Sequence, residues 1–120
     1  MAINKFELQG RVGYIKIDYV ANEETGKTTV YTTVGLGVKK NENGNNWDNF
    51  FITFFNRRKT AEILADSVKK GDYIRVVGRL SESRYLNPKY SDEERSETRL
   101  IGFGYKKQEY DEMAQEWVDV

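Results

Sequence analysis

The chain has 120 residues, enough for one domain around one hydrophobic core. It contains no cysteine and no histidine, which excludes a disulfide scaffold and a thiolate metal site and removes the commonest general base at neutral pH. Its 19 basic and 19 acidic residues cancel, yet five of the acids (Glu109, Asp111, Glu112, Glu116 and Asp119) follow the last basic residue, Lys107, leaving 14 in the body. The neutral total therefore hides a basic domain with an acidic end. No apolar run approaches the ~18 residues of a membrane-crossing helix, and the opening residues lack a secretory apolar stretch. The expectation is a soluble, cytoplasmic protein with no membrane partner.

Residues 4–17 alternate, with Phe6, Leu8 and Gly10 opposing Lys5, Glu7, Gln9 and Arg11. A glycine inside such a run, Gly10 or Gly13, marks a bulge or bend of the kind a small barrel needs at its corners. A polar connection over 18–28 leads to a second strand, with Val30, Thr32, Val34, Leu36 and Val38 on one side and Tyr31, Thr33, Gly35, Gly37 and Lys39 on the other. The Asn-Gly pair within 40–46 predicts a hairpin that pairs strands two and three antiparallel.

Residues 47–80 carry the most information. Trp47, Asn49, Phe51, Thr53 and Phe55 share one strand face and Phe50, Ile52 and Phe54 the other, so both faces are aromatic. A soluble domain rarely leaves its second face that apolar without a use. The basic run Arg57-Arg58-Lys59 follows, and then a short helical pattern begins. Thr60 is its predicted N-cap, Ala61, Leu64, Ala65 and Val68 its buried stripe, Lys69 and Lys70 its last turn, and Gly71 its positive-φ stop. In the next strand Ile74, Val76 and Leu80 read as core, with Tyr73, Arg75, Val77 and Arg79 exposed. The strand continues through Arg84 to Tyr85, a charged loop holding Pro88 spans 86–97, and a last strand runs from Thr98 to about Lys106 with Ile101, Phe103 and Tyr105 on one parity. Five strands with one helix between the third and fourth is the element order of an all-β OB-fold, a five-stranded Greek-key barrel.

This pattern resembles the single-stranded-DNA-binding proteins of the bacterial and bacteriophage type. The resemblance rests on the strand beginning at Trp47, on Ala61-Glu62, on Lys69-Lys70-Gly71-Asp72, on Gly78-Arg79-Leu80, and on the opening strand from Asn4 to Gly13. It covers roughly residues 3–105, and the absence of a long linker is closest to a phage version. The resemblance implies stacking roles for Trp47 and for Tyr85, seven residues after Gly78. It also implies an aromatic near the end of the third strand, for which Phe54 and Phe55 both remain open. A homo-oligomer, dimer or tetramer, is implied too, and the first strand is expected as the exposed edge through which copies pair.

Binding a single strand without sequence preference needs a basic groove along the phosphates and exposed rings that stack on unpaired bases. The predicted stacking residues are Trp47, Phe55 and Tyr85, followed by Tyr31 and Tyr73. The predicted phosphate contacts are Lys5, Arg11, Arg57, Arg58, Lys59, Arg75, Arg79 and Arg84. Lys69, Lys70, Arg95, Lys106 and Lys107 read as helix-end or surface charges.

The chain divides into a DNA-binding domain, 1–107, and an acidic tail, 108–120. Asp111, Glu112, Glu116, Trp117, Val118, Asp119 and Val120 make that tail either a docking peptide for replication and recombination proteins or a short helix packing Met113 and Trp117 on the body. A tail of this charge is also able to lie over the basic groove and compete with DNA.

The glycine pairs at 35/37 and 102/104 lack the third glycine and following helix of a phosphate loop. The acids at 23–24 and 92–94 have no apolar surroundings to tune them. No enzyme, cofactor or metal is expected. Two rival readings keep the fold: an RNA-binding OB domain, and an OB interaction module of a replication complex in which the aromatic face is a subunit interface.

Overall fold

The computed structural model describes residues 3–40, 46–86 and 94–120, with the backbone alone described at 83–86 and 94–97. Its elements are β1 (Phe6–Ala21), β2 (Thr28–Lys39), β3 (Trp47–Phe55), a 3-10 turn (Arg57–Lys59), α1 (Thr60–Ser67), β4 (Tyr73–Leu86), β5 (Glu94–Asp111) and β6 (Glu116–Asp119). The strand order is β3-β2-β1-β4-β5-β6, and a parallel contact of Ile52 with Leu100 and Thr53 with Ile101 joins β3 to β5. Strands β1 to β5 thus close into the expected OB-fold barrel with α1 between β3 and β4.

The interior follows the alternation. Val34 and Leu36 of β2, Ile52 and Phe54 of β3, and Ile74 and Val76 of β4 are buried together with Val12, Leu64 and Val68. Each such side chain contributes about 1.5–3 kcal/mol of burial. The helix is tied beneath this core by a buried hydrogen bond, in which the Thr32 hydroxyl donates to the Ala61 carbonyl at 2.7 Å.

Several sequence expectations change. Thr60 is the first helical residue, not the N-cap: Arg58 and Lys59 take left-handed φ values of 55° and 63°, and the Thr60 hydroxyl donates back to the Arg57 carbonyl at 2.6 Å. The helix stops at Ser67, before Lys69-Lys70, because Val68 is already extended. Gly71, at φ 100°, makes the predicted turn, and the Asp72 carboxylate accepts the Lys69 N–H at 2.8 Å. The predicted 86–97 loop is shorter than expected, since the β4–β5 ladder continues to Leu86 opposite Glu94. The Asn-Gly turn and Pro88 lie outside the described residues.

β1 is not an edge in the strand order. It pairs with β4 over Phe6–Arg11 and with β2 over Arg11–Ala21, because the long strand bends where its register shifts between Val12 and Tyr14. Leu80, expected in the core, is exposed at the root of the β4–β5 arm. Asn4 clasps its backbone there: the side-chain amide donates to the Leu80 carbonyl at 2.7 Å and accepts the Leu80 N–H at 2.9 Å.

The acidic end is a β-hairpin, not a helix. β5 runs past position 107 to Asp111, whose carboxylate accepts the N–H groups of Met113 and Ala114, and Gln115 at φ 55° turns the chain into β6. β6 then pairs with β5 from Gln108–Asp119 to Asp111–Glu116. Trp117 packs on the body, as one reading expected, whereas Met113 is fully exposed.

Candidate nucleic-acid interface

The outer face of β3 is the open one. Trp47, Phe51 and Phe55 are 39%, 63% and 46% exposed, while Phe54 is sealed in the core, so Phe55 is the outward ring at the end of that strand. Four residues of strand separate successive rings, roughly 13 Å. Opposite them on β2 stand Lys39, Gly37, Gly35, Thr33 and Tyr31. The Lys39 ammonium lies 5.6 Å from the Trp47 ring, and Tyr31 meets Phe55 at 6.3 Å.

Gly35 makes the centre of this face flat. A Cβ there would come within 2.9 Å of Tyr14 and 3.2 Å of Phe51, so only glycine lets both rings lie over the strand. Tyr14 and Phe51 meet edge to face at 6.0 Å. The sequence reading did not select either. Tyr14 was hidden by the irregularity at Gly13, which turns the outward positions of β1 from odd to even numbers.

Beyond Phe55 the strained turn delivers Arg57 and Arg58 to a hollow of about 580 Å³, which Arg79 and Phe103 also line. Phe103 is 60% exposed with the Arg79 guanidinium 6.0 Å from its ring. Its parity was misread because β5 is irregular there: Val77 pairs with Gly104 and Gly78 with Gly102, so Phe103 is the unpaired extra residue. The same bulge separates it from Tyr105, which packs against Phe54 inside. The flanking glycines, Gly102 and Gly104, were the available signal.

Tyr73 and Arg75 are not on an open surface. Trp117 of β6 stacks on Tyr73 with centroids 3.9 Å apart and planes 14° from parallel, and Tyr110 closes on Trp117 at 5.5 Å. Arg75 holds Asp119 through two donors, one at 3.2 Å, and Glu7 at 3.2 Å. Arg11 sits 5.9 Å from the Tyr73 ring and 6.0 Å from Trp117, and donates to the Gly71 carbonyl at 3.0 Å. These contacts shift the titrating groups. Burial raises the Tyr73 hydroxyl, opposed by the Arg11 charge. Hydrogen bonds from Arg75 and then Gln108 lower the Asp119 carboxyl, and those to Asp119 and Glu7 raise Arg75.

Of the remaining predicted residues, Lys5 and Lys59 are exposed, and the side chains of Arg84 and Tyr85 lie outside the described residues. The structure thus gathers Trp47, Phe55, Tyr31, Arg57, Arg58 and Arg79 along β3 and its end, and places Tyr73 and Arg75 against the C-terminal hairpin with Arg11 exposed beside them. Among the described residues no acidic cluster has the arrangement of a metal site, and no helix is long and apolar enough to cross a membrane.

A closed five-stranded barrel with an aromatic outer strand bordered by cations belongs to the OB class of binding folds. Residues 3–103 match the model of the single-strand binding protein family, and the chain belongs to that family. Two crystal structures of the mitochondrial single-stranded DNA binding protein Rim1 from S. cerevisiae share the fold. One is 15% identical, with a TM-score of 0.62 over 89% of this chain and 96% of that one. The other is 17% identical, with a TM-score of 0.60 over 89% and 95%. A search of curated proteins returns no match.

Proposed function

We propose that this protein binds single-stranded DNA without strong sequence preference and shields it during replication, recombination and repair. The observation that carries the reading is the row of outward rings on β3, ending in a hollow with three guanidiniums, in a member of the single-strand binding family. Trp47 and Phe55 stack on unpaired bases, and Arg57, Arg58, Lys59 and Arg79 neutralise phosphates. Rings suit any base because every base has a π-face, and this supports the absence of sequence preference. The protein works as a homo-oligomer in this reading. Recruitment of replication or recombination proteins through residues 108–120 requires a partner to displace the hairpin, since Trp117 and Asp119 are engaged within the chain.

The test is titration with oligo(dT), followed by Trp47 fluorescence in a Trp117→Phe background, with the mass of the assembly measured alongside. About four phosphate contacts at a slope of about −0.7 each predict an affinity falling roughly 600-fold per tenfold rise in salt. Salt-independent binding removes the basic groove, and unquenched Trp47 hands the face to a protein interface. A clear preference for matched rU oligomers moves the assignment to RNA.

A further inference from the structure

The hollow of about 580 Å³ at the end of β3 carries more positive charge than one internal phosphate of a DNA strand calls for. Arg57 and Arg58 reach it from the turn after β3 and Arg79 from β4, and among the described residues no acidic side chain lines it. An internal phosphodiester bears one negative charge. A phosphomonoester at a strand end bears roughly two at neutral pH and offers three strong acceptor oxygens. We propose that this hollow seats a terminal phosphate, so that the protein holds the phosphorylated end of a single strand in preference to an unphosphorylated one. The proposal rests on the single-stranded-DNA reading and adds to it a preference for one chemical group.

Three observations carry it. The guanidiniums are unspent: among the described residues none of the three makes an ion pair, and Arg79 faces only the Phe103 ring. Arg75, on the same strand as Arg79, is instead held by Asp119 and Glu7. Next, the backbone leaves its ordinary range to place them. Arg58 and Lys59 are consecutive non-glycine residues at φ 55° and 63°, a conformation that costs free energy and persists only where the surroundings impose it. The Thr60 hydroxyl at the rim is already given to the Arg57 carbonyl, so the side-chain donors left for a ligand are guanidiniums, which select an anion and not the edge of a base. Finally, the hollow stands where the path along the sheet stops. The ring row from Trp47 to Phe55 covers roughly 26 Å of strand, and beyond it the chain leaves the sheet for α1. Phe55, Ile101 and Phe103 wall the hollow with apolar surface, which focuses the field of the three cations. By contrast, a hollow of about 520 Å³ beside Phe51, between β3 and β5, has one guanidinium, that of Arg99, which matches a single internal charge.

A phosphomonoester also occurs on a free nucleotide, and the experiment separates the two sources. The full-length protein is titrated with oligo(dT) of about eight nucleotides bearing a 5′-phosphate, a 3′-phosphate or neither, and with thymidine 5′-monophosphate alone. Arg58→Gln, Arg79→Gln and the exposed-lysine control Lys69→Gln follow, with thermal unfolding measured on each. The wild type is expected to bind one phosphorylated end about tenfold more tightly than the unphosphorylated strand, as added charge-assisted hydrogen bonds give. Each arginine variant keeps the wild-type unfolding midpoint, still binds the unphosphorylated strand and loses the preference, whereas Lys69→Gln retains it. A wild type that binds no oligomer overturns the parent reading. Equal wild-type affinity for the three oligomers overturns the terminal seat alone, as do arginine variants that weaken all three alike, which returns the hollow to internal phosphates. A preference that Lys69→Gln also loses is an effect of overall charge, and it too overturns the seat. Thymidine 5′-monophosphate bound as tightly as the phosphorylated oligomer makes the hollow a free-nucleotide site and overturns the strand end.

Discussion

Two regions of the barrel surface carry the same ingredients, rings and guanidiniums on alternating strand positions, and end up in opposite conditions. Along β3, Trp47, Phe51 and Phe55 face solvent beside Arg57, Arg58 and Arg79. On β4, Tyr73 and Arg75 are taken by the chain's own Trp117 and Asp119, one by stacking and the other by charge-assisted hydrogen bonds. Strand alternation fixes which side chains leave the core. It does not fix whether another element then covers them, and that second decision separates a binding surface from an internal joint.

The largest effect that sharpens this contrast is loss of the open rings. If Trp47 and Phe55 stack on bases as proposed, Trp47→Ala with Phe55→Ala is expected to cost about 2–6 kcal/mol of oligo(dT) affinity together and to leave the unfolding midpoint nearly unchanged. Calorimetric titration reads the first and thermal melting the second. A Tyr73→Ala change that weakened DNA binding as strongly would erase the distinction between the regions.

Uncovering the second region comes next. Trp117→Ala with Asp119→Asn deletes the stack and the ion pair while leaving the β5–β6 backbone in place. Stability is expected to fall by about 1–2 kcal/mol from the lost stack and its burial. Oligo(dT) affinity is expected to rise about fivefold as Tyr73 becomes available to a base. A fall in stability without gained affinity would make the β4 face purely structural.

The smallest effect is a dependence on acid. Asp119 titrates below its ordinary value because Arg75 and Gln108 hold its charged form. A carboxyl lowered in the folded state stabilises above its unfolded value near 3.9 and loses that contribution as pH falls through the lower folded value. Trp117 fluorescence is therefore steady from neutral pH to about pH 4 and changes only below it. In Asp119→Asn this contribution to the acid step is absent.

The barrel was legible because its evidence is local. The β2 and β3 alternation, the helix stripe at Ala61, Leu64 and Val68, and the turn at Gly71 each follow from a few neighbouring residues. Tyr14 and Phe103 escaped for one shared reason: each lies at or just past an irregularity that reverses parity, beside Gly13 in one case and between Gly102 and Gly104 in the other. Phe51 was correctly placed on the outward face, but nothing in the alternation marks the hollow beside it, whose other wall comes from β5. The C-terminal hairpin was missed because Met113 and Trp117 carry helical spacing, while the deciding group is the Asp111 carboxylate that caps the turn.

The clasp between Asn4 and Leu80 joins positions 76 residues apart and depends on one amide acting as donor and acceptor at once. Deamidation of that side chain leaves a carboxylate, which still accepts the Leu80 N–H but sets a negative oxygen against the Leu80 carbonyl. Exchanging that one amide for a carboxylate would thus loosen the β4–β5 arm at its root while leaving the length of the chain unchanged.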